Sequence, residues 1–196
     1  IMSVFTNEEK VQILSDVVEI ESVNDHEKDV AEYLQKLFNK YDIQSEIISV
    51  NDSDSRANLV AEIGSGSPVL GVSGHMDVVT TGNLDSWNYE PFKLTEDDDG
   101  RLHGRGAADM KSGTVALALA LIEIKEAGTL KQGTIRFMAT AGEEITSAGA
   151  KDLYEKGYMD DVDALLIAEP SQDGLVYTFN CQIKCNTLSL KSSAGV

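Results

Sequence analysis

Cysteine and proline are scarce in this sequence, which contains two cysteines and three prolines among 196 residues. Cys181 and Cys185 lie on a predicted strand, and their spacing favours buried, reduced thiols over a disulfide framework. No segment approaches the roughly 18 apolar residues of a membrane-spanning helix. Residues 1–10 lack the basic and apolar regions of a secretory signal. These absences together predict a cytoplasmic protein.

Positive charge is scarce as well, because 16 basic residues face 33 acidic ones and give a formal net charge of −17. Such a surface repels phosphate backbones and anionic lipids, so we expect neither a nucleic-acid nor a membrane partner. Hydrophobic residues make up 42% of the chain, which is ordinary for a globular protein of one domain, with room for a fragment of a second. The excess carboxylates either keep the protein soluble or gather to hold divalent cations.

Helical and extended patterns alternate along the chain. Apolar residues at helical spacing predict four helices, at residues 7–20, 25–40, 113–127 and 147–157. In the first of these helices the apolar stripe consists of Val11, Leu14, Val17 and Val18. Short apolar runs predict five strands, at residues 44–50, 57–63, 68–72, 134–140 and 163–168, the last of them buried. This alternation favours an α/β sheet with helices on both faces.

Acidic and imidazole side chains occupy equivalent positions, after predicted strands or just ahead of a helix. They are His75 and Asp77 after strand 68–72, Glu143 and Glu144 after strand 134–140, Glu169 after strand 163–168, and Asp109 ahead of helix 113–127. Ligands of open α/β sheets bind beyond the carboxyl ends of the strands. If these strands are parallel neighbours, their trailing loops bring all of these side chains to one crevice.

Clustered carboxylates without positive charge raise one another's pKa and cost stability, and a divalent metal removes that conflict. One histidine with several carboxylates suits zinc, manganese or cobalt. A single ion would not use the whole set, whereas two ions that share a bridging carboxylate would, and such sites activate a water molecule for hydrolysis. In the doublet of Glu143 and Glu144, one side chain can bind metal while the other takes a proton from the water.

Other motif interpretations fail on inspection. Residues 104–112 resemble a phosphate-binding loop, but Met110 stands where that loop requires a glycine. Ser192 and Ser193 have no histidine after them, which argues against a serine triad. The acidic run at residues 96–99 lacks the spacing of a calcium loop and predicts a solvated hairpin tip.

Four segments, residues 73–77, 104–111, 140–144 and 168–171, resemble the M20 metallopeptidase family in sequence, order and spacing. The resemblance implies a three-layer α/β/α fold with a mixed, mostly parallel sheet of the zinc-exopeptidase type. It implies that His75 and Glu169 bind one metal ion, that Glu144 binds the other, and that Asp109 bridges the two. Asp77 would orient His75, Glu143 would be the general base, and a cis peptide bond would follow Asp109.

Residues 87–92 and 104–106 are most similar to the branch of succinyl-diaminopimelate desuccinylase and acetylornithine deacetylase. The resemblance therefore implies an amidohydrolase of N-acylated amino acids with two zinc, cobalt or manganese ions. Within the branch we expect hydrolysis of N-succinyl-diaminopimelate, a step of lysine biosynthesis. Two alternatives stay open, which are a dipeptidase or carboxypeptidase on the same scaffold and a non-catalytic metal-binding module derived from it.

The sequence departs from the family pattern near its end. Residues 1–175 are expected to form an incomplete catalytic domain, and residues 176–196 a β tail that is the start or a remnant of the lid domain. Family members carry one further metal-binding histidine and a lid, through which the full-length protein could form a homodimer. No histidine follows His103, which is a poor substitute because it lies in a β stretch away from the crevice. We therefore expect weak occupancy of one metal position and little turnover.

Overall fold

The computed structural model of the protein describes residues 3–170. The helices are α1 (Asn7–Glu19), α2 (Glu27–Asn39), α3 (Lys111–Ala127) and α4 (Ala148–Glu155). The strands are β1 (Ser45–Ser49), β2 (Ala57–Ser65), β3 (Val69–His75), β4 (Thr95–Glu96), β5 (Leu102–His103), β6 (Gly133–Thr140) and β7 (Ala164–Ile167). The predictions for Cys181, Cys185, Ser192, Ser193 and the β tail at 176–196 lie outside the described residues. None of the described helices is long and apolar enough to cross a membrane.

The main sheet has five strands in the order β1-β2-β6-β3-β7. The pairs β3–β6 and β3–β7 are parallel, whereas β1–β2 and β2–β6 are antiparallel. Only β2 therefore runs against the other strands of this sheet, which agrees with the expected mixed, mostly parallel arrangement. Because β3, β6 and β7 are parallel neighbours, the segments that follow them leave the sheet at one edge.

Helices cover both faces of the sheet and make three layers. Along β2, Leu59 and Ala61 face the large core formed with α1, α2 and α3, whereas Val60 between them faces the opposite side. There Val60 packs in a smaller cluster with Met138 and with Leu153 of α4. The alternation of side chains along a strand thus lets one apolar segment bury residues in two cores.

The buried face of α1 differs from the predicted stripe. Thr6 caps the helix in a capping box with Glu9, so the helix begins at Asn7. Its buried residues include Ile13 and Val17, whereas Val11 is 39% exposed. Val11 precedes Val17 by six positions, which places it about 240° around a helix of 3.6 residues per turn. The prediction that Val11 belongs to the core stripe was therefore wrong.

Two strand predictions also need correction. The apolar run at 163–168 was expected to be buried, but Leu165, Leu166 and Ile167 of β7 are 41%, 44% and 46% exposed. Within residues 3–170, β7 is the edge strand and pairs with β3 alone. The strand predicted at 68–72 extends to His75, because residues 73–75 continue the parallel ladder with β6. His75 is thus the last residue of a strand and does not follow one.

Candidate metal centre

The imidazole of His75 is buried at the end of β3 and is held by its own chain. Its Nδ1 lies 2.9 Å from the backbone carbonyl oxygen of Asp77. Because a carbonyl only accepts hydrogen bonds, Nδ1 carries the proton in the neutral ring, and in that form Nε2 keeps its lone pair. Nε2 faces the carboxylate of Asp109 at 3.2 Å. This tautomer is the one that a metal-binding histidine requires.

The start of α3 braces the backbone of His75. Thr114 donates its hydroxyl to the carbonyl oxygen of His75 at 2.9 Å, and the amide of His75 lies 3.2 Å from the sulfur of Met110. A Cβ at Gly74 would lie 2.4 Å from the Thr114 hydroxyl, so this close approach requires glycine. Asp109 directly precedes Met110, and the peptide bond between them is cis, as the family resemblance suggests.

The carboxylate of Asp77 is buried and binds the turn that follows β6. Its two oxygens accept the backbone amides of Glu143 and Glu144, at 3.1 and 3.0 Å. The same carboxylate is 3.6 Å from Nδ1 of His75, farther away than the Asp77 carbonyl oxygen. Asp77 therefore touches the imidazole chiefly through its backbone and fixes the Glu143–Glu144 turn through its side chain.

Asn58 holds the same turn from the neighbouring strand β2. Its side-chain oxygen accepts the amide of Ala141 at 3.0 Å, and its side-chain nitrogen donates to the carbonyl of Gly149 at 3.0 Å. Between these contacts the chain turns at Gly142, which has a φ of 72° and leaves no room for a Cβ beside the guanidinium of Arg56. Asn58 was not identified from the sequence, although a polar residue within the apolar run 57–63 was a usable signal.

These elements bring most of the predicted site residues together. His75, Asp109 and Glu144 each offer one ligand atom, and these atoms all lie within 4.8 Å of one another. The Nε2 atom of His75 also lies 3.7 Å from a carboxylate oxygen of Glu169 and 3.8 Å from one of Glu143. The hairpin of β4 and β5 holds His103 elsewhere, hydrogen-bonded to Asp97 at 2.8 Å.

The close packing of these side chains shifts the pKa of three of them. Burial lowers the pKa of His75, but the charge of Asp77 and the other nearby carboxylates outweighs it, so the net shift is upward. Burial, followed by the charge of Asp109, raises the pKa of Glu144. Burial and the neighbouring carboxylates also raise the pKa of Glu169 to about 7. Burial is thus the larger cause of the two glutamate shifts, and neighbouring negative charge is the cause of the His75 shift.

The donor set fits divalent metal ions. Within residues 3–170, the cluster carboxylates face His75 and one another, and none pairs with a lysine or an arginine. A neutral imidazole with several carboxylates matches the preferences of zinc, cobalt and manganese. Asp109 and Glu143 are half exposed, with side-chain exposures of 54% and 50%, so the cluster is open to solvent.

Comparison with known proteins agrees with this geometry. A profile of the family described as Peptidase family M20/M25/M40 matches residues 71–184. The chain belongs to this family. It is 57% identical over 184 residues to a probable succinyl-diaminopimelate desuccinylase of Staphylococcus aureus (strain MRSA252), and the match covers 94% of this chain and 44% of the relative. The chain thus spans less than half the length of this curated relative.

Solved structures of the M20 family share the fold. A metallo-carboxypeptidase from Sulfolobus solfataricus superposes with a TM-score of 0.72 at 21% identity, over 83% of this chain and 38% of that one. A tripeptidase from Staphylococcus aureus gives a TM-score of 0.67 at 26% identity, over 86% of this chain and 44% of that one. The expected three-layer, zinc-exopeptidase-like fold is thereby confirmed.

Proposed function

We propose that this chain forms the metal-binding part of an amidohydrolase that removes the succinyl group of N-succinyl-diaminopimelate in the cytoplasm. The convergence of His75, Asp109 and Glu144 at one sheet edge carries the proposal, because those donors suit metal-assisted hydrolysis. The substrate is taken from the name of the relative that is 57% identical. Since the chain spans under half of that relative, we assign the complete activity to the product of the complete reading frame. We further propose that residues 1–175 belong to the catalytic domain of the full-length protein and that the full-length protein forms a homodimer.

The ligand roles follow the sequence prediction. His75 and Glu169 would hold one ion and Glu144 the other, with Asp109 shared between them. Zinc is the first choice for both positions, and cobalt and manganese suit the same donors. When bound, two such ions polarise the amide carbonyl and lower the pKa of a water molecule.

Glu143 is the proposed general base. Its side chain is half exposed and reaches to within 3.8 Å of Nε2 of His75, while its backbone amide is held by Asp77. A carboxylate that is anchored through its backbone and free at its tip can take a proton from the attacking water. The same carboxylate can then pass that proton to the leaving amine. Asp77 acts as a positioning residue in this arrangement.

The test is a substrate comparison with the product of the complete reading frame, loaded with zinc or cobalt. We expect release of succinate from N-succinyl-diaminopimelate to exceed hydrolysis of N-acetylornithine and of dipeptides. Glu143→Gln should lower kcat by about 10²- to 10⁴-fold, the usual contribution of a general base, while both metals stay bound. Glu96→Gln, in the hairpin of β4 and β5, is the matched control and should keep the wild-type rate. An unchanged rate in Glu143→Gln would show that the base is wrongly assigned.

A second candidate is peptide hydrolysis on the same scaffold. The names of the solved structures favour it, since one is a tripeptidase and the other a metallo-carboxypeptidase. Faster cleavage of dipeptides than of the succinyl substrate would support this candidate. Metal binding without turnover on any of these substrates would favour the non-catalytic module.

Metal stoichiometry tests the site in the 196-residue chain directly. We expect zinc calorimetry to give one tight site and one weak site, because no histidine after His103 is present to complete the second. His75→Ala should abolish the tight site. Two equally tight sites in the wild-type chain would contradict the assignment of ligands.

A further inference from the structure

The connection between α1 and α2, residues 20–23, contacts the segment that follows His75, and Ser22 in this connection is buried. We call these residues the connecting segment. The Ser22 hydroxyl donates to the carbonyl oxygen of Met76 at 2.6 Å, and the amide of Val78 donates to the carbonyl of Ser22 at 3.0 Å. Val23 and Val78 form a parallel bridge. The chain on both sides of Asp77 is therefore fastened to the connecting segment.

The same segment is fastened to the start of α3 by Lys111. The ammonium group of Lys111 donates to the carbonyl oxygen of Ile20 at 2.7 Å and to that of Val17 at 2.9 Å. The carbonyl of Val17 is among the last four of α1, which lack partners within the helix. Lys111 is fully buried and stands two positions after Asp109.

Two ligand-bearing segments from distant parts of the chain thus share one anchor. Met76 follows His75 directly, and Lys111 follows Asp109 by two positions. Both residues are tied to the connecting segment by hydrogen bonds, which form in only one register. Thr114 already ties the start of α3 to the carbonyl of His75, and the connecting segment adds a second restraint on the same two elements, where metal ligation tolerates only about 0.2 Å of error in distance.

We propose that Ser22 and Lys111 are positioning residues that set the separation of His75 and Asp109 through the connecting segment. Their polar atoms bind backbone carbonyls, so they act on the metal site without joining its ligands. The inference rests on the proposed metal site. It adds a second layer of residues whose function is to hold two ligands at the distance that an ion requires.

A purely structural role of Ser22 and Lys111 leads to a different expected result. If Ser22 and Lys111 only stabilise the fold, their removal should act like the loss of any other buried hydrogen bond between a side chain and the backbone. Thr134 provides that comparison, because its buried hydroxyl donates to the carbonyl of Gly66 at 2.8 Å. It lies at the start of β6, at the end of the strand opposite to Glu143 and Glu144.

The experiment compares Ser22→Ala, Lys111→Met and Thr134→Val in the 196-residue chain. Zinc affinity is measured by calorimetry, and ligand geometry by the visible absorption of the cobalt-loaded protein. We expect Ser22→Ala and Lys111→Met to weaken zinc binding by about 10- to 100-fold, as changes around metal ligands do, and to alter the cobalt spectrum. Thr134→Val should lower the melting temperature while both metal readouts stay at wild type.

The outcomes separate the two proposals. Wild-type protein that binds no zinc overturns the metal site and this inference together. Wild-type protein that binds zinc, with Ser22→Ala matching its affinity and its cobalt spectrum, overturns the positioning role alone. If Lys111→Met does not fold, Ser22→Ala decides the question, because it removes a single oxygen atom from a small side chain. Equal losses of affinity in Ser22→Ala and Thr134→Val would also refute the inference.

Discussion

Replacement of Asp77 by asparagine tests how the turn after β6 is held. The substitution keeps the shape of the side chain, but an amide has one oxygen to accept a hydrogen bond where the carboxylate has two. Since Glu143 and Glu144 each donate a backbone amide to this group, one of the two donors must lose its partner and face an NH₂ group instead.

The magnitude follows from these two contacts. Loss of one charge-assisted hydrogen bond costs about 1.5–3 kcal/mol, and an unsatisfied buried donor adds about 1–3 kcal/mol. We therefore expect Asp77→Asn to lower the free energy of unfolding by about 2.5–6 kcal/mol. At about 3 °C per kcal/mol for a chain of this size, the melting temperature should fall by roughly 8–18 °C.

Thermal denaturation and hydrogen exchange at individual amides measure the effect. The amides of residues 143 and 144 should exchange faster in Asp77→Asn, and zinc affinity should fall because Glu144 lies in that turn. Asp97→Asn is the matched control. Asp97 also accepts two backbone amides, from Asp99 at 3.0 Å and from Arg101 at 2.8 Å, but it lies in the hairpin of β4 and β5. Unchanged protection of the two turn amides in Asp77→Asn, with a melting temperature like that of wild type, would refute the reasoning.

Two further predictions concern stability. Because the pKa of Glu169 is raised to about 7 from an ordinary 4.5, the folded metal-free chain keeps a proton that the unfolded chain releases. The contribution of Glu169 to stability is full below pH 4.5 and is lost as the pH rises to about 7. Thermal denaturation without metal should show this loss, and saturating zinc should abolish it. A melting temperature that does not change over this pH range would contradict the prediction. Asn58→Ala should lower the free energy of unfolding by about 1–3 kcal/mol in urea denaturation, because it leaves the amide of Ala141 without its side-chain acceptor and removes the side-chain donor of the Gly149 carbonyl. A loss below 0.5 kcal/mol would mean that water replaces the asparagine.

The gathering of the site residues could be predicted from the sequence because it depends on topology. Glu144 and Glu169 follow short apolar runs that form parallel strands on either side of β3, which ends at His75. The carboxyl ends of parallel neighbours must meet at one edge of a sheet. The general location of the cluster therefore followed from the order and direction of the strands, without any knowledge of side-chain packing.

The details that depend on tertiary contacts could not be predicted in this way. Whether an apolar strand is buried depends on which elements cover it, and the sequence of β7 does not contain that information. The side chain of Asp77 was expected to serve His75, because the two residues are neighbours in sequence. Its closer partners, the amides of Glu143 and Glu144, lie more than 60 positions away along the chain. Sequence proximity therefore identified the residue but not its main contact.

The side chains of the cluster differ in solvent exposure, and this difference explains how the fold accommodates their negative charge. The imidazole of His75 is 1% exposed, whereas the side chains of Asp109 and Glu143 are 54% and 50% exposed. Burial of a neutral ring costs little, but burial of a carboxylate is unfavourable unless its charge is compensated. Glu169, at 27% exposure, is less hydrated than Asp109 and Glu143, and its pKa rises to about 7. The cluster thus leaves most of its negative charge in water, and binding of a cation must remove that hydration as it assembles the site.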